Sequence, residues 1–158
     1  FEVMNRCDWH TFQILTKRPE RIIELESKGN LSWTDNIWQG VSVENNKTVW
    51  RIDVLNQCQA FVKFISFEPL LENIDNLDLR GIDWAIVGGE SGSGFRVMKQ
   101  EWARTVRDVC VRDSVAFFYK QDSGYKTELR PYLVEETGSK FEWKQMPHKF
   151  TSPQLIQA

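Results

Sequence analysis

The stretch Thr11-Phe12-Gln13-Ile14-Leu15-Thr16-Lys17-Arg18-Pro19-Glu20-Arg21-Ile22-Ile23-Glu24-Leu25 decides the fold. Its first six residues, Thr11 to Thr16, are mostly β-branched or apolar and read as a strand. Pro19 then stands where a helix can begin, Ile22, Ile23 and Leu25 supply an apolar stripe, and Gly29 stops it. That is one β-α unit, and the pattern recurs along the chain. Ile37 to Val43 reads as a second strand, followed by a helix from Asn46 to Gln57 with Val49, Ile52, Val54 and Leu55 on its apolar side. Phe61 to Phe67 is a third strand, followed by Pro69 and a short irregular segment from Leu70 to Leu79. Trp84 to Val87 is a fourth, ahead of a glycine-rich turn and a helix from Gln100 to Arg112 that carries Trp102, Val106, Val109 and Cys110 along one side. Val115 to Tyr119 is the fifth. Successive strands are separated by the length that a β-α-β crossover needs, which predicts a parallel sheet.

Beyond Gln121 the periodicity fails, and Gly124, Pro131, Gly138 and Pro147 punctuate a polar stretch. Residues 122–158 are predicted to be an irregular tail, with a hairpin between Tyr132 and Trp143. No repeat or linker divides residues 1–158, so a single domain is expected. Five units fall short of the eight in a closed barrel of about 250 residues. The choice lies between an open parallel sheet and most of a barrel. An opening in Phe1-Glu2-Val3-Met4 favours a fragment of something longer. The expected class is therefore α/β: a parallel five-stranded β-α repeat forming a partial (β/α) TIM-type barrel.

Composition bounds the function. Of 158 residues, 41% are hydrophobic and 27% charged, which excludes a disordered chain, and a net charge of -2 gives no strong field for polyanions or membranes. No long apolar run or signal pattern is present, which predicts a cytoplasmic protein. Cys7, Cys58 and Cys110 are odd in number and far apart, fitting neither a disulfide framework nor a clustered metal site. His10 and His148 lie at opposite ends, so neither a histidine metal site nor a Ser-His-Asp triad is supported. No metal ligand is expected in this chain. Trp33, Trp38, Trp50, Trp84 and Trp102 fall at helix or strand periodicity and read as core before they read as a base-stacking platform.

Ligands of parallel sheets meet the carboxyl ends of the strands, and those positions are unusually polar here. They hold Lys17 and Arg18, Ser42 and Glu44, Ser66 and Glu68, Gly88-Gly89-Glu90-Ser91-Gly92, and Lys120. Glu68, Glu90 and Lys120 are the catalytic candidates; Lys17, Ser42, Glu44, Gly88, Gly89 and Ser91 are the candidates for holding a cofactor. The plainer alternative is that exposed strand ends carry structural ion pairs. Four glycines within Gly88 to Gly94 either bring backbone amides close to a ligand or make a tight turn, and the Lys-Ser/Thr ending of a nucleotide-phosphate loop is missing. Pro69 biases Glu68 toward extended backbone. Glu68 and Glu90 could act as an acid/base pair of a cluster-independent hydrolase, of the kind glycosidases use. Lys17, Arg18, Arg21 and Arg96 could instead serve a module that binds nucleic acid or protein. An unpaired edge along Thr11 to Thr16 would be covered by the chain's own N-terminal residues or by self-association.

Taken in order, Leu15-Thr16-Lys17-Arg18-Pro19-Glu20-Arg21, Gly40-Val41-Ser42-Val43-Glu44-Asn45, Ser66-Phe67-Glu68-Pro69-Leu70-Leu71, Ile82-Asp83-Trp84 running into Gly88-Gly89-Glu90-Ser91-Gly92, and Phe117-Phe118-Tyr119-Lys120-Gln121 resemble an uncharacterised phage and prophage family, the three-cysteine-motif proteins. Trp143-Lys144-Gln145-Met146-Pro147 is similar to that family's tail. Val97 and Asp122 depart from it, where the family tends to have Pro and Trp. The resemblance implies a radical S-adenosylmethionine-like barrel whose N-terminal Cys-rich segment holds an iron–sulfur cluster. It makes this chain the C-terminal part, without that segment and inactive alone. S-adenosylmethionine and the cluster are then cofactors of the full-length protein, acting on a small-molecule or nucleic-acid substrate. A Gly-Gly-Glu triplet in such enzymes contacts the amino group of S-adenosylmethionine after an early strand, whereas Gly88-Gly89-Glu90 comes late.

Overall fold

The computed structural model describes residues 1–126 and 131–147. Helix α1 (Glu2–Arg6) leads into β1 (Phe12–Thr16), α2 (Pro19–Ser27), β2 (Ile37–Ser42), a 3-10 turn (Asn46–Thr48), α3 (Trp50–Asn56), β3 (Val62–Phe67), β4 (Trp84–Gly88), α4 (Gln100–Asp113) and β5 (Ala116–Gln121). The five strands form one sheet in chain order, and every neighbouring pair is parallel. The five-stranded parallel sheet read from the sequence is thus present.

Local chemistry accounts for the boundaries. Pro19 occupies the first turn of α2, where a missing N–H leaves no hydrogen bond unmade. Gly29, at φ 69°, follows that helix and donates its N–H to the Glu26 carbonyl. The helix expected from Asn46 begins instead as a 3-10 turn, because the Asn45 side chain caps the Thr48 N–H while the Thr48 hydroxyl accepts from the Asn45 N–H. Helix α1 has no counterpart in the sequence reading. The Asn36 amide ties it down, donating to the carbonyls of Met4 at 3.1 Å, Cys7 at 3.3 Å and His10 at 3.0 Å.

Alternation along each strand gives the sheet two different faces. Val41, Ile65, Phe67, Ala85, Val87, Phe117 and Tyr119 join Ile52 and Leu55 of α3 and Ala103, Val106 and Cys110 of α4 in one core, with Ile22 and Ile23 of α2 packed against it. Leu70, Ile74, Leu77 and Leu79 belong to the same core, so the irregular segment after β3 covers the sheet where the repeat would place a helix. The opposite face holds Trp38, Val62, Phe64, Trp84 and Ala116 with Ile86 and Phe118, and no helix residue among them. There Trp84 meets the rings of Trp38, Phe64 and Phe118 at centroid distances of 6.2, 5.9 and 5.8 Å. Gly40 makes this possible: a Cβ at that position would lie 2.3 Å from the Phe64 ring. Trp33 and Trp102 are partly buried as expected, but Trp50 is 46% exposed, with the Arg51 guanidinium 5.9 Å from its ring centre. It sits at the first position of α3, on the side turned away from the sheet.

The tail holds the hairpin expected between Tyr132 and Trp143, and it adds a pairing with β5 that the sequence does not suggest. Leu133–Val134 and Lys140–Phe141 pair as an antiparallel hairpin, β6 and β7. Residues 143–145 then run antiparallel beside β5, with the Tyr119 N–H donating to the Trp143 carbonyl at 2.8 Å and the Gln145 N–H to Phe117 at 3.1 Å. Residues 127–130 and 148–158 of the expected tail, His148 included, lie outside the described residues. No helix among the described residues is long and apolar enough to cross a membrane.

At the other edge, β1 pairs with β2 on one side and with no strand on the other among the described residues. The N-terminal residues form α1 and do not pair with it as a strand. An edge without a paired strand, with Leu15 49% exposed, is a template for another chain. Concentration-dependent self-association is the expected result in sedimentation experiments, reduced by Leu15→Lys; a monomer at all concentrations would contradict it.

Candidate functional site

Glu68 follows β3, Lys120 lies near the end of β5, and β4 runs between them to end in Gly88. The Lys120 ammonium reaches Glu68 Oε1 at 3.1 Å, and the Ser66 hydroxyl donates to Glu68 Oε2 at 3.1 Å. Reaching across β4 depends on glycine: a Cβ at position 88 would stand 2.7 Å from Glu68 Oε1. The Glu68–Pro69 peptide is cis. The side chains of Lys120 and Glu68 are 53% and 22% exposed, so their pairing contributes at most about 1 kcal/mol to stability. Its weight is in what it presents to solvent.

What it presents is the rim of a cleft of about 350 Å³ on the helix-free face. Phe64, Trp84, Ile86 and Phe118 line it, Leu15 and Gln13 of β1 close one side, and Ser66, Glu68 and Lys120 supply the polar end. The strand register explains the grouping. Ser66 pairs with Ile86 and Ile86 with Phe118, so residues of one parity on β3, β4 and β5 share this face and carry their polar members at the carboxyl ends.

The remaining candidates divide into two further clusters. Glu44, 10% exposed, accepts from Lys17 at 2.5 Å and from Arg51 at 3.1 Å, while Arg51 also donates to the Ser42 carbonyl at 2.8 Å. Burial pushes the Glu44 carboxyl up, but the Lys17 hydrogen bond and the charges of Lys17 and Arg51 outweigh it and hold the group below its ordinary value. Glu90 is clamped by Arg96, whose Nε and Nη2 donate at 2.9 and 2.6 Å and whose backbone N–H donates at 2.8 Å. These bonds lower its pKa to about 2, the guanidinium contributing most and the backbone next. Glu90 does not line the cleft with Glu68 and Lys120. An acid this strong is an anion at neutral pH and has no proton to give, so it lacks the property a general acid needs.

The sign of that shift makes a prediction. A carboxylate with a lowered folded pKa lends stability that is present above its unfolded value and lost as pH falls through the folded one. In Arg96→Gln the Glu90 pKa should rise from about 2 toward its ordinary 4.5, with the backbone N–H of residue 96 still holding it below that value, followed by carbon NMR of the carboxyl. An unchanged titration would show that Arg96 is not the cause.

The glycines after β4 serve the protein itself. A Cβ on Gly89 would lie 2.2 Å from the Ser123 backbone nitrogen. Gly89 donates its N–H to the Gln121 carbonyl and accepts from the Gln121 amide at 3.1 Å. Ser91 bridges to Gly124, and Gly92 donates to the Gly124 carbonyl. The loop is thereby knitted to the chain leaving β5, and its amides at 89 and 92 face protein carbonyls.

A family model described as a protein of unknown function, DUF5131, matches residues 1–148. The chain belongs to the DUF5131 family. No curated protein and no solved structure matches it.

Two of the three cysteines of this DUF5131 chain, Cys58 and Cys110, do not fit an iron–sulfur cluster. Cys58 and Cys110 are buried in the core beneath the helices, and burial above all raises their thiols to about 11 and about 12, away from the thiolate that a cluster binds. Among the described residues no three His, Cys, Asp or Glu side chains come together as a metal site. In Gly88-Gly89-Glu90 the Glu90 carboxylate accepts three hydrogen bonds from Arg96 and the Gly89 carbonyl one from the Gln121 amide. Of the DUF5131 basic residues, Lys17, Arg21 and Arg96 all face intrachain carboxylates, on Glu44, Glu24 and Glu90.

Sequence reasoning missed the walls of the cleft, Gln13, Leu15, Phe64, Trp84, Ile86 and Phe118. For two of them the signal was available: position 64 shares strand parity with Ser66 and Glu68, and position 118 with Lys120. Arg51, the second partner of Glu44, carried no such signal, because its role depends on where α3 lies against β2.

Proposed function

We propose that the helix-free face of this sheet is the ligand and reaction cleft of a (β/α)-barrel enzyme, to which the chain contributes five consecutive strands. Chain-order parallel strands with helices on one face support the barrel, since a doubly wound sheet reverses its order and places helices on both. The motif resemblance supports placing that barrel in the radical S-adenosylmethionine-like, phage-encoded class. Among the described residues no side-chain group fits the cluster, and in this reading residues other than these hold it.

The observation that carries the proposal is the Glu68 carboxylate seated over Gly88 against Lys120, at the rim of an apolar cleft. Glu68 and Lys120 can bind and orient a polar group there, with a base and a cation side by side, while the aromatic floor excludes water from the rest of the ligand. Ser66 fixes the orientation of the carboxylate. The hydrolase reading pairs Glu68 with Glu90, which does not line the cleft and is engaged by Arg96, and no observation favours it.

A thermal-shift screen of diverse small molecules tests the cleft. Binders should lose their effect in Glu68→Gln and Lys120→Met, and a set of binders indifferent to both substitutions would overturn it. The radical-enzyme class is tested separately, by purifying the whole gene product without oxygen in the presence of iron and sulfide. Cluster absorbance in the visible is expected, and its absence would remove that class.

A further inference from the structure

Resting on the reading of the cleft as a ligand site, we propose that its ligand is zwitterionic: a free α-amino acid with an apolar, ring-bearing side chain. The polar end holds one carboxylate and one ammonium 3.1 Å apart, and among the described residues no third charged side chain lines the cleft. A ligand with only a carboxylate would meet Lys120 and be repelled by Glu68; one with only an amine would meet Glu68 and be repelled by Lys120. A ligand bearing both charges on adjacent groups satisfies each without leaving the other exposed to repulsion.

Both partners have capacity to spare. An ammonium has three donors, and Lys120 directs one at Glu68. A carboxylate accepts at about four lone-pair positions, of which Lys120 and Ser66 occupy two. Both groups are reached from solvent, so an incoming ligand completes an existing ion pair and need not break a buried one. Gly88 puts no side chain between them and the cleft.

The other end of the cleft defines the side chain. Phe64, Trp84, Phe118 and Ile86 form the floor, and Trp84, edge-to-face with Phe118 and tilted against Phe64, leaves an apolar surface suited to one more ring. The volume of about 350 Å³ lies at the lower end for ligand pockets, which begin at roughly 300 Å³, and suits a single small molecule better than a peptide or a dinucleotide.

The test is calorimetric titration of the protein with L-phenylalanine, phenethylamine and 3-phenylpropionate, which share the ring and differ in charge. L-Phenylalanine should bind saturably and at least about tenfold more tightly than either analogue, a difference of about 1.4 kcal/mol. Lys120→Met should abolish the preference over phenethylamine, and Glu68→Gln the preference over 3-phenylpropionate. Equal affinities for the three compounds, or no saturable binding of L-phenylalanine, would overturn the proposal. If other molecules from the thermal-shift screen still bind in a manner that depends on Glu68 and Lys120, the cleft stands and only the ligand class falls. If none does, the cleft itself falls. Because the ion pair is partly exposed and contributes at most about 1 kcal/mol, both variants should unfold within a few degrees of wild type, which separates lost binding from lost fold.

Discussion

Alanine in place of Gly88 is expected to abolish ligand binding in the cleft while leaving the sheet folded. The added Cβ would stand 2.7 Å from Glu68 Oε1 and 3.3 Å from its Cγ, and the first of these is the far end of a flexible side chain. The carboxylate therefore swings aside, the backbone of β4 stays in place, and Lys120 loses its partner. Binding should weaken by about tenfold to a hundredfold, the range for losing a hydrogen bond to a charged group. Stability should change by less than about 1 kcal/mol, because alanine in an extended strand also reduces the freedom of the unfolded chain. A double-mutant cycle isolates the cause: in a Glu68→Ala background, Gly88→Ala should have no further effect on binding. An equal effect in both backgrounds would place the cause elsewhere.

Gly89→Ala should act in the opposite way, on stability first. Its Cβ would meet the Ser123 nitrogen at 2.2 Å, the Ser123 Cα at 2.6 Å and the Asp122 carbonyl carbon at 2.8 Å, all of them backbone or backbone-attached atoms. No rotamer relieves that contact. Either β4 and the chain leaving β5 separate, losing the Gly89-to-Gln121 hydrogen bond and the Ser91–Gly124 bridge, or the strand is strained. Overpacking of this kind costs about 3 kcal/mol at the upper end of the usual range. At about 2–4 °C per kcal/mol for a protein of this size, the midpoint should fall by roughly 6–12 °C in calorimetry. A shift within a degree would mean that the two segments are not in contact in solution.

These two neighbouring glycines show what sequence could and could not provide. Four glycines after a strand read naturally as a loop whose amides meet a ligand. In the structure the first makes room for a carboxylate from β3 and the second for backbone after β5, neither of which is near it in sequence. The spacing of apolar runs was legible because each strand and helix buries one face and repeats that choice every two or nearly four residues. It was enough for the five parallel strands, and Pro19 and Gly29 set the limits of α2 as their backbone chemistry requires. Partner choice among charges was not legible. Lys17, Arg51 and Arg96 take carboxylates from other elements or loops, and only the registers of the strands and the path of residues 88–96 decide which. Helix α1 was invisible for a related reason: five residues make too short a pattern to show periodicity, and its place depends on contacts with residues 32–36, Asn36 among them, far along the chain.

Proton–nitrogen NMR of the isotope-labelled protein, titrated with small fragments in mixtures and then singly, tests the central claim that the helix-free face is where a ligand meets this protein. Saturable shifts should gather on the amides of Ser66, Glu68, Gly88, Phe118 and Lys120 and on the indole N–H of Trp84, and should vanish in Lys120→Met. Shifts gathered instead on the outer surface of α2, α3 or α4, with the cleft residues unmoved, would contradict it.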